Sequence, residues 1–194
     1  VFNSIPKEEL KTAWENVSTN INFYNHFGST ESKNLLSKIK YFVSAIGCKW
    51  VILDHVNIAV SGIDEGDERR LIDNIMTRLR SLVEETGAGV FLVSHLRRVD
   101  GNKGHENGIE VSLSHLRGSN SIGQLSDCVI ALERNQQSDD PEEARTTRLR
   151  ILKSRYTGDV GMATALIYDK ETGRLSETYD TDFDIQDNQT SIAF

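Results

Sequence analysis

One short stretch decides the fold class of this chain: Trp50-Val51-Ile52-Leu53-Asp54-His55, an apolar run that ends in a carboxylate and an imidazole. A second apolar run, residues 90–93, is followed in the same way by the polar pair Ser94-His95. Such short, continuously apolar runs are typical of strands in parallel sheets, which are buried on both faces. Between the two runs, apolar residues recur at helical spacing over residues 71–83, and Gly87 follows. The order strand, helix, strand predicts an α/β fold, with a mostly parallel sheet flanked by helices on both sides.

The same alternation continues on both sides of this unit. A helical stripe over residues 31–46 precedes it and ends at Gly47, and a third apolar run follows at 128–132. Residues 147–152 alternate in polarity, as in a strand with one solvated face. A C-terminal antiparallel hairpin is predicted from two further segments, 162–168 and 174–178.

Composition and charge exclude little but restrict how the chain can bind nucleic acid. With 38% hydrophobic and 26% charged residues it has the composition of a globular domain, and no apolar run approaches the roughly 20 residues of a membrane span. We therefore expect a cytoplasmic protein with no membrane partner. The formal net charge of -7 would repel DNA if it were spread evenly, so DNA binding requires a local basic patch.

The chain divides into a folded part and a tail. We predict that residues 1–178 form one folded unit and that 179–194, which are acidic and poor in apolar residues, are disordered. The two cysteines, Cys48 and Cys128, have no His or Cys at metal-ligand spacing, which favours small buried thiols.

Polar residues follow the predicted strands at their carboxyl ends, where open α/β sheets place their ligands. A carboxylate in the position of Asp54 can hold Mg²⁺ opposite a nucleotide phosphate, although such residues also serve as helix caps or loop residues. His95 could sense a phosphate or be structural. The loop behind it, residues 97–105, has three cations against one acid and no aromatic residue. It suits contacts with a phosphate backbone, and the alternative is a solvated surface loop.

A longer series of motifs follows in a fixed order: Leu116-Arg117-Gly118-Ser119, then Gln124-Leu125-Ser126-Asp127, the strand 128–133 with Glu133-Arg134-Asn135, and Lys153-Ser154-Arg155-Tyr156-Thr157-Gly158. Over residues 30–178 this succession resembles the RecA-type motor domain of the DnaB superfamily of hexameric replicative DNA helicases. The resemblance is strongest to the phage helicase–primase branch, which is Twinkle-like. Several motifs in the right order are far more specific than any one of them.

The resemblance implies a role for each site residue. Asp54 is the acid linked to Mg²⁺, and His95 and Gln124 sense the γ-phosphate. Arg155 is an arginine finger that reaches the nucleotide of a neighbouring subunit, with Lys153 beside it, because two cations offset the charge that develops on the phosphoryl group. The resemblance also implies which residues bind the nucleotide base and which bind DNA. The base of ATP or dTTP lies between Arg134 and Tyr168, and single-stranded DNA is contacted by Arg97, Lys103, Arg117 and Gly118.

Two features depart from the pattern of these helicases. Gly123 stands where the phage branch often has Arg before the sensor Gln, which puts coupling through that position in doubt. No Gly-Lys pair occurs in the sequence, so the phosphate-binding loop GxxxxGK[ST] is missing, and the catalytic glutamate of the family also belongs to a segment before this one. The N-terminal strand and helix of the core are therefore expected to be absent.

Three hypotheses for the function remain at this point. The first is a part of an ATP-dependent replicative helicase that forms a six-membered ring and unwinds duplex DNA by translocating on one strand, in a phage-infected bacterial cell. The second is a RecA or circadian-type ATPase, which the pair Lys153 and Arg155 and the order of Gln124 before Ser126 disfavour. The third is an inactive piece that serves as an assembly or polymerase-binding surface, and for these 194 residues alone we expect no turnover. The acidic tail ending in Phe194 is similar to the phage helicase tail that engages the replicative DNA polymerase.

Overall fold

The computed structural model describes residues 5–24, 32–57, 65–99, 104–118 and 120–178. Within these ranges the chain forms four α-helices and six strands. The helices are α1 (Lys7–Ser18), α2 (Ser32–Tyr41, continued by a π-helical turn, Phe42–Ile46), α3 (Glu65–Thr86) and α4 (Asn120–Leu125). The strands are β1 (Trp50–Leu53), β2 (Gly89–Leu92), β3 (Cys128–Glu133), β4 (Thr146–Ser154), β5 (Gly161–Tyr168) and β6 (Leu175–Thr178).

Helices α2 and α3 carry the core because their apolar residues recur on one stripe. Ile72 and Ile75 are fully buried, and the core cluster continues through Leu35, Ile39 and Val43. Burial of each such side chain contributes roughly 1.5–3 kcal/mol relative to leaving it exposed. Both predicted helix ends are confirmed, since Gly47 and Gly87 adopt positive φ angles of 85° and 71° directly after the helical turns.

The strands form two sheets. β1 and β2 pair in parallel, from Trp50 with Gly89 to Leu53 with Leu92, and β3-β4-β5-β6 form an antiparallel sheet. The α/β class and the C-terminal hairpin are confirmed. Fewer strands pair in parallel than predicted, however: among the described strands, only β1 and β2 do so. Among the described strands β2 pairs only with β1 and β3 only with β4, so within these ranges each has one unpaired edge.

One face of β1 and β2 is left uncovered in the described part of the chain. Side chains on the other face, such as Val51, Leu53 and Leu92, pack against the core cluster beneath α2 and α3. The prediction of helices on both faces is therefore not met by the described residues. The exposed side chains on this face of β1 and β2, or directly after them, are Trp50, Ile52, Phe91 and Val93; on β3, Ile130 and Leu132 are also exposed.

The two cysteines differ in their exposure. Cys128 begins β3 on the same face as Ile130 and is exposed, while Cys48 is partly buried, so the prediction of two buried thiols is wrong. Cys128 is exposed because strand alternation puts it on the uncovered face of β3, whereas Sγ of Cys48 lies 3.5 Å from Nδ2 of Asn22. Among the helices in the described ranges, none combines the length and apolar composition needed to cross a membrane.

Candidate functional site

The carboxyl ends of β1 and β2 bring Asp54 and two histidines together. The parallel ladder continues past both strands, because the amide of Val93 donates to Leu53 O (2.9 Å) and that of Val56 to Val93 O (3.0 Å). Asp54 and His95 therefore leave the sheet at the same edge, and both are exposed. The rings of His55 and His95 lie against each other, with centroids 3.9 Å apart and planes at 34°.

Asn57 lies beneath this edge and supports His95. It is buried, and its Oδ1 accepts a hydrogen bond from the backbone amide of His95 at 3.4 Å. Within the part of the chain that the structure describes, two buried nitrogens, Asn57 Nδ2 and His55 Nδ1, have no hydrogen-bond partner. Because an unsatisfied buried polar group costs about 1–3 kcal/mol, this edge is suited to a polar ligand.

The edge also fits a magnesium ion. The described residues contain no group of three or more His, Cys, Asp or Glu side chains placed to hold a metal. Mg²⁺ in nucleotide sites is typically held by one or two protein carboxylates together with phosphates and water. The exposed carboxylate of Asp54 is therefore enough as the protein ligand.

A short antiparallel bridge joins this edge to the basic segments. Leu96 pairs with Leu116, the amide of Arg97 donates to His115 O (2.8 Å), and the amide of Arg117 donates to His95 O (3.0 Å). The backbone of His95 is thus hydrogen-bonded directly to that of Arg117. The side chains of Arg97 and Arg117 are both exposed, and Lys103 lies outside the described residues.

Gly118 turns the chain away from this bridge at a position that only glycine fits. Its φ of +108° lies in the region that L side chains rarely adopt. A Cβ added there would collide with Cδ1 of Ile72, whose side chain is fully buried, and would contact Asn57 Nδ2 at 3.7 Å. Gly118 is therefore packed tightly against Ile72 of α3, next to Asn57, which bonds the backbone of His95.

The C-terminal end of α4, which carries Gln124, is held by Lys153. The ammonium group of Lys153 donates to Gly123 O (2.7 Å), Gln124 O (3.0 Å) and Ser126 O (2.8 Å). A cation at this position satisfies carbonyls that a helix end leaves without partners and opposes the negative end of its dipole. Since lysine has three donors, all of them are used within the chain.

Arg155 reaches the same helix end from the turn after β4. Its Nη2 donates to Gln124 O (3.1 Å), and its Nη1 donates to Asp127 Oδ1 (3.0 Å). Arg80 of α3 donates from Nη1 to both oxygens of that carboxylate, at 2.8 and 2.7 Å. Lys153 and Arg155 therefore both contact the segment of Gln124, although only Lys153 lies in β4, which ends at Ser154.

Arg134 and Tyr168 lie at one end of the antiparallel sheet. Arg134 follows β3, Tyr168 ends β5, and β4 runs between the two strands in the opposite direction. Glu133 pairs with Arg148, which pairs with Ala165, so Arg134 and Tyr168 lie two strands apart and are also offset by about two residues along the strands. The guanidinium of Arg134 is fixed by a hydrogen bond from Nε to Ala144 O (2.8 Å).

The predicted site residues thus form separate groups. Asp54 and His95 lie at the parallel edge, Gln124, Lys153 and Arg155 at the end of α4, and within the described residues no hydrogen bond joins the two groups.

Sequence reasoning missed four residues of these groups: His55, Asn57, Arg80 and Asp127. His55 and Asp127 stand inside quoted motifs and could have been singled out. Arg80 is one of several cations on a helix, and nothing local distinguishes it.

Comparison with known proteins agrees with the motif series. The family described as DnaB-like helicase C terminal domain matches residues 4–177. The chain therefore belongs to the DnaB-like helicases, as the motifs predicted. It is similar to the DNA helicase/primase of Enterobacteria phage T3, with 43% identity over 152 residues, which confirms the resemblance to the phage branch.

The coverage of these matches is uneven. The match to the phage T3 protein covers 78% of this chain but 26% of that protein, so the chain spans about a quarter of that relative. Among solved structures, the KaiC-like protein PH0186 from Pyrococcus horikoshii OT3 aligns with a TM-score of 0.49 and 16% identity. That alignment covers 76% of this chain and 56% of the other.

Proposed function

We propose that this chain is part of a replicative DNA helicase that binds ATP or dTTP with Mg²⁺ between the subunits of a six-membered ring and unwinds duplex DNA by moving along one strand. Membership of the DnaB-like family supports the class. The observation that carries the proposal is the hydrogen bond between the backbones of His95 and Arg117. It links the carboxyl ends of β1 and β2, the nucleotide edge of this proposal, to the exposed cation Arg117.

At the nucleotide edge, Asp54 holds the metal through its exposed carboxylate, directly or through water. The bound metal offsets negative charge on the phosphates during transfer. His95 senses the γ-phosphate. Its ring packs against the ring of His55, and its backbone amide donates a hydrogen bond to Asn57 Oδ1. Because Arg117 is bonded to the same backbone, a shift of His95 moves Arg117 with it.

Arg155 acts on the nucleotide of the neighbouring subunit. In its own chain it lies at the end of α4, bonded to Gln124 O and Asp127, and its side chain is 44% exposed. Lys153 has no donor left for a phosphate, so its part is to hold the carbonyl end of the helix that carries Gln124. Arg134 and Tyr168, which lie at the same end of the antiparallel sheet, flank the base.

Single-stranded DNA is bound by Arg97, Lys103 and Arg117, together with the backbone at Gly118. Arg97 and Arg117 are diagonal neighbours across the bridge at Leu96 and Leu116, so their charges are close in space. The two cations form the local patch that a chain of net charge -7 needs in order to bind DNA.

A strand-displacement assay on a forked duplex tests the proposal in a protein that contains this chain and a phosphate loop. Asp54→Asn is expected to lower both nucleotide hydrolysis and unwinding at least about a hundredfold, because a metal supplies several kcal/mol to the transition state. Asp139→Asn makes the same chemical change at another exposed carboxylate, in the loop after β3, and should leave both rates within twofold. If the rate of nucleotide hydrolysis is the same with and without DNA and no unwinding is observed, a circadian-type ATPase is favoured instead.

The acidic tail gives a separate proposal on partners. We propose that residues 179–194, which lie outside the described residues, bind the replicative DNA polymerase through their charges and Phe194, in the cytoplasm of an infected bacterium. Phe194→Ala is expected to weaken polymerase binding about tenfold, as for the loss of a buried aromatic anchor. The affinity can be measured by calorimetry or biolayer interferometry, and an unchanged value would remove the proposal.

A further inference from the structure

One carboxylate, that of Asp127, is shared by two arginines from different elements. Arg80 of α3 donates to both of its oxygens at 2.8 and 2.7 Å, whereas Arg155 donates to one of them at 3.0 Å. Arg80 is also paired with Glu84 at 2.8 Å. The side chain of Asp127 is 27% exposed, so water does not fully screen either pair.

The two arginines are not held equally. Arg80 is the less exposed, at 29% against 44% for Arg155, and it has the shorter bonds. Hydrogen bonds to Glu84 and then to Asp127 raise the pKa of Arg80 above its ordinary value. Arg155 has a single, longer bond to the carboxylate, so its separation from Asp127 costs less free energy than that of Arg80.

Release of Arg155 has a second effect, on Gln124. The carbonyl of Gln124 accepts from both Arg155 (3.1 Å) and Lys153 (3.0 Å). When Arg155 leaves, this carbonyl loses one of its two cationic donors, while Lys153 keeps the helix end in place. The side chains proposed to act on two different nucleotides are thus linked through one peptide group.

We propose that Asp127 is an intramolecular docking site for the guanidinium of Arg155, which Arg155 leaves when it binds the nucleotide of the neighbouring subunit. Asp127 is then a positioning residue for the arginine finger, and the exchange reports the neighbour's nucleotide to Gln124. The inference depends on the proposed role of Arg155 between subunits. Because docked Arg155 cannot bind nucleotide, the apparent affinity falls with the docked fraction.

Two substitutions shift the docked fraction in opposite directions. Asp127→Asn weakens docking and is expected to lower the KM for ATP about twofold to fivefold, since a partly exposed charged pair is weak. Arg80→Gln leaves the whole carboxylate to Arg155, so it strengthens docking and should raise KM by a similar factor. In both variants kcat is expected to stay within twofold of the parent protein.

The experiment uses the ring-forming protein that contains this chain, with assembly of each variant checked by mass photometry. Glu85→Gln is the control, because it removes another ion pair of α3, the exposed pair with Lys40 at 3.8 Å. Binding of a non-hydrolysable ATP analogue is then measured in the Arg155→Ala background. There the two substitutions should no longer change affinity, because the residue that docks is gone.

Each outcome decides between the claims. KM shifts of opposite sign that vanish without Arg155 support the docking site. Shifts of the same sign, no shifts, or shifts that persist in the Arg155→Ala background overturn it. If one variant does not assemble, the predicted direction of the other still tests the inference. If Arg155→Ala alone leaves hydrolysis unchanged, the role of Arg155 between subunits fails instead.

Discussion

Arg155→Ala is expected to lower kcat for nucleotide hydrolysis about 10³-fold to 10⁵-fold in a ring-forming protein that contains this chain, as for the loss of other arginine fingers. The guanidinium is exposed at the end of β4 and is held to the end of α4 by bonds to Asp127 and Gln124. Arg78→Ala removes another exposed arginine, on α3, and is expected to change kcat less than twofold. The measurement is steady-state hydrolysis at saturating nucleotide and DNA.

Mixed rings show whether Arg155 acts between subunits. Asp54→Asn and Arg155→Ala subunits are each expected to be inactive alone. When the two are mixed, some interfaces combine an intact Asp54 from one subunit with an intact Arg155 from the next. Recovery of part of the activity on mixing is therefore expected, whereas mixtures that stay inactive despite subunit exchange would mean that Arg155 serves its own chain.

The 194-residue chain by itself is expected to hydrolyse ATP at less than about a thousandth of the rate of a ring that also has the phosphate loop. Positioning of the phosphates and stabilisation of their charge supply almost all of this catalysis, and the sequence has no Gly-Lys pair to contribute a phosphate loop. Robust turnover by the purified monomer would contradict both this expectation and the role of Arg155 in a neighbouring site.

The same chain is expected to show exposed apolar surface. Trp50 and Phe91 are exposed on the open face of β1 and β2, with ring centroids 5.6 Å apart. An environment-sensitive dye such as ANS should bind this face, as it binds loosely packed states. If the chain binds no dye and stays soluble at high concentration, the open face is covered by residues outside the described ranges.

The sequence determined the local elements well because their causes are local. Apolar spacing within one or two turns defined α2 and α3, and Gly47 and Gly87 ended them by adopting positive φ. The apolar runs gave β1, β2 and β3 to within about a residue, as expected when strand ends are marked by polar residues. The order of the motifs was likewise enough to predict the family that the comparison confirmed.

Only the tertiary structure decided which side chains meet. Arg80 and Asp127 are 47 residues apart, and Lys153 lies 30 residues after Gly123, so neither contact leaves a trace in local spacing. Packing of α3 against α4 and of β3 against β4 brings these groups together. The sequence thus determined the elements and the family, because these follow from near neighbours and motif order. The partners of Lys153 and Arg155 depended on the fold, because a long side chain bonds whatever the packing places within its reach.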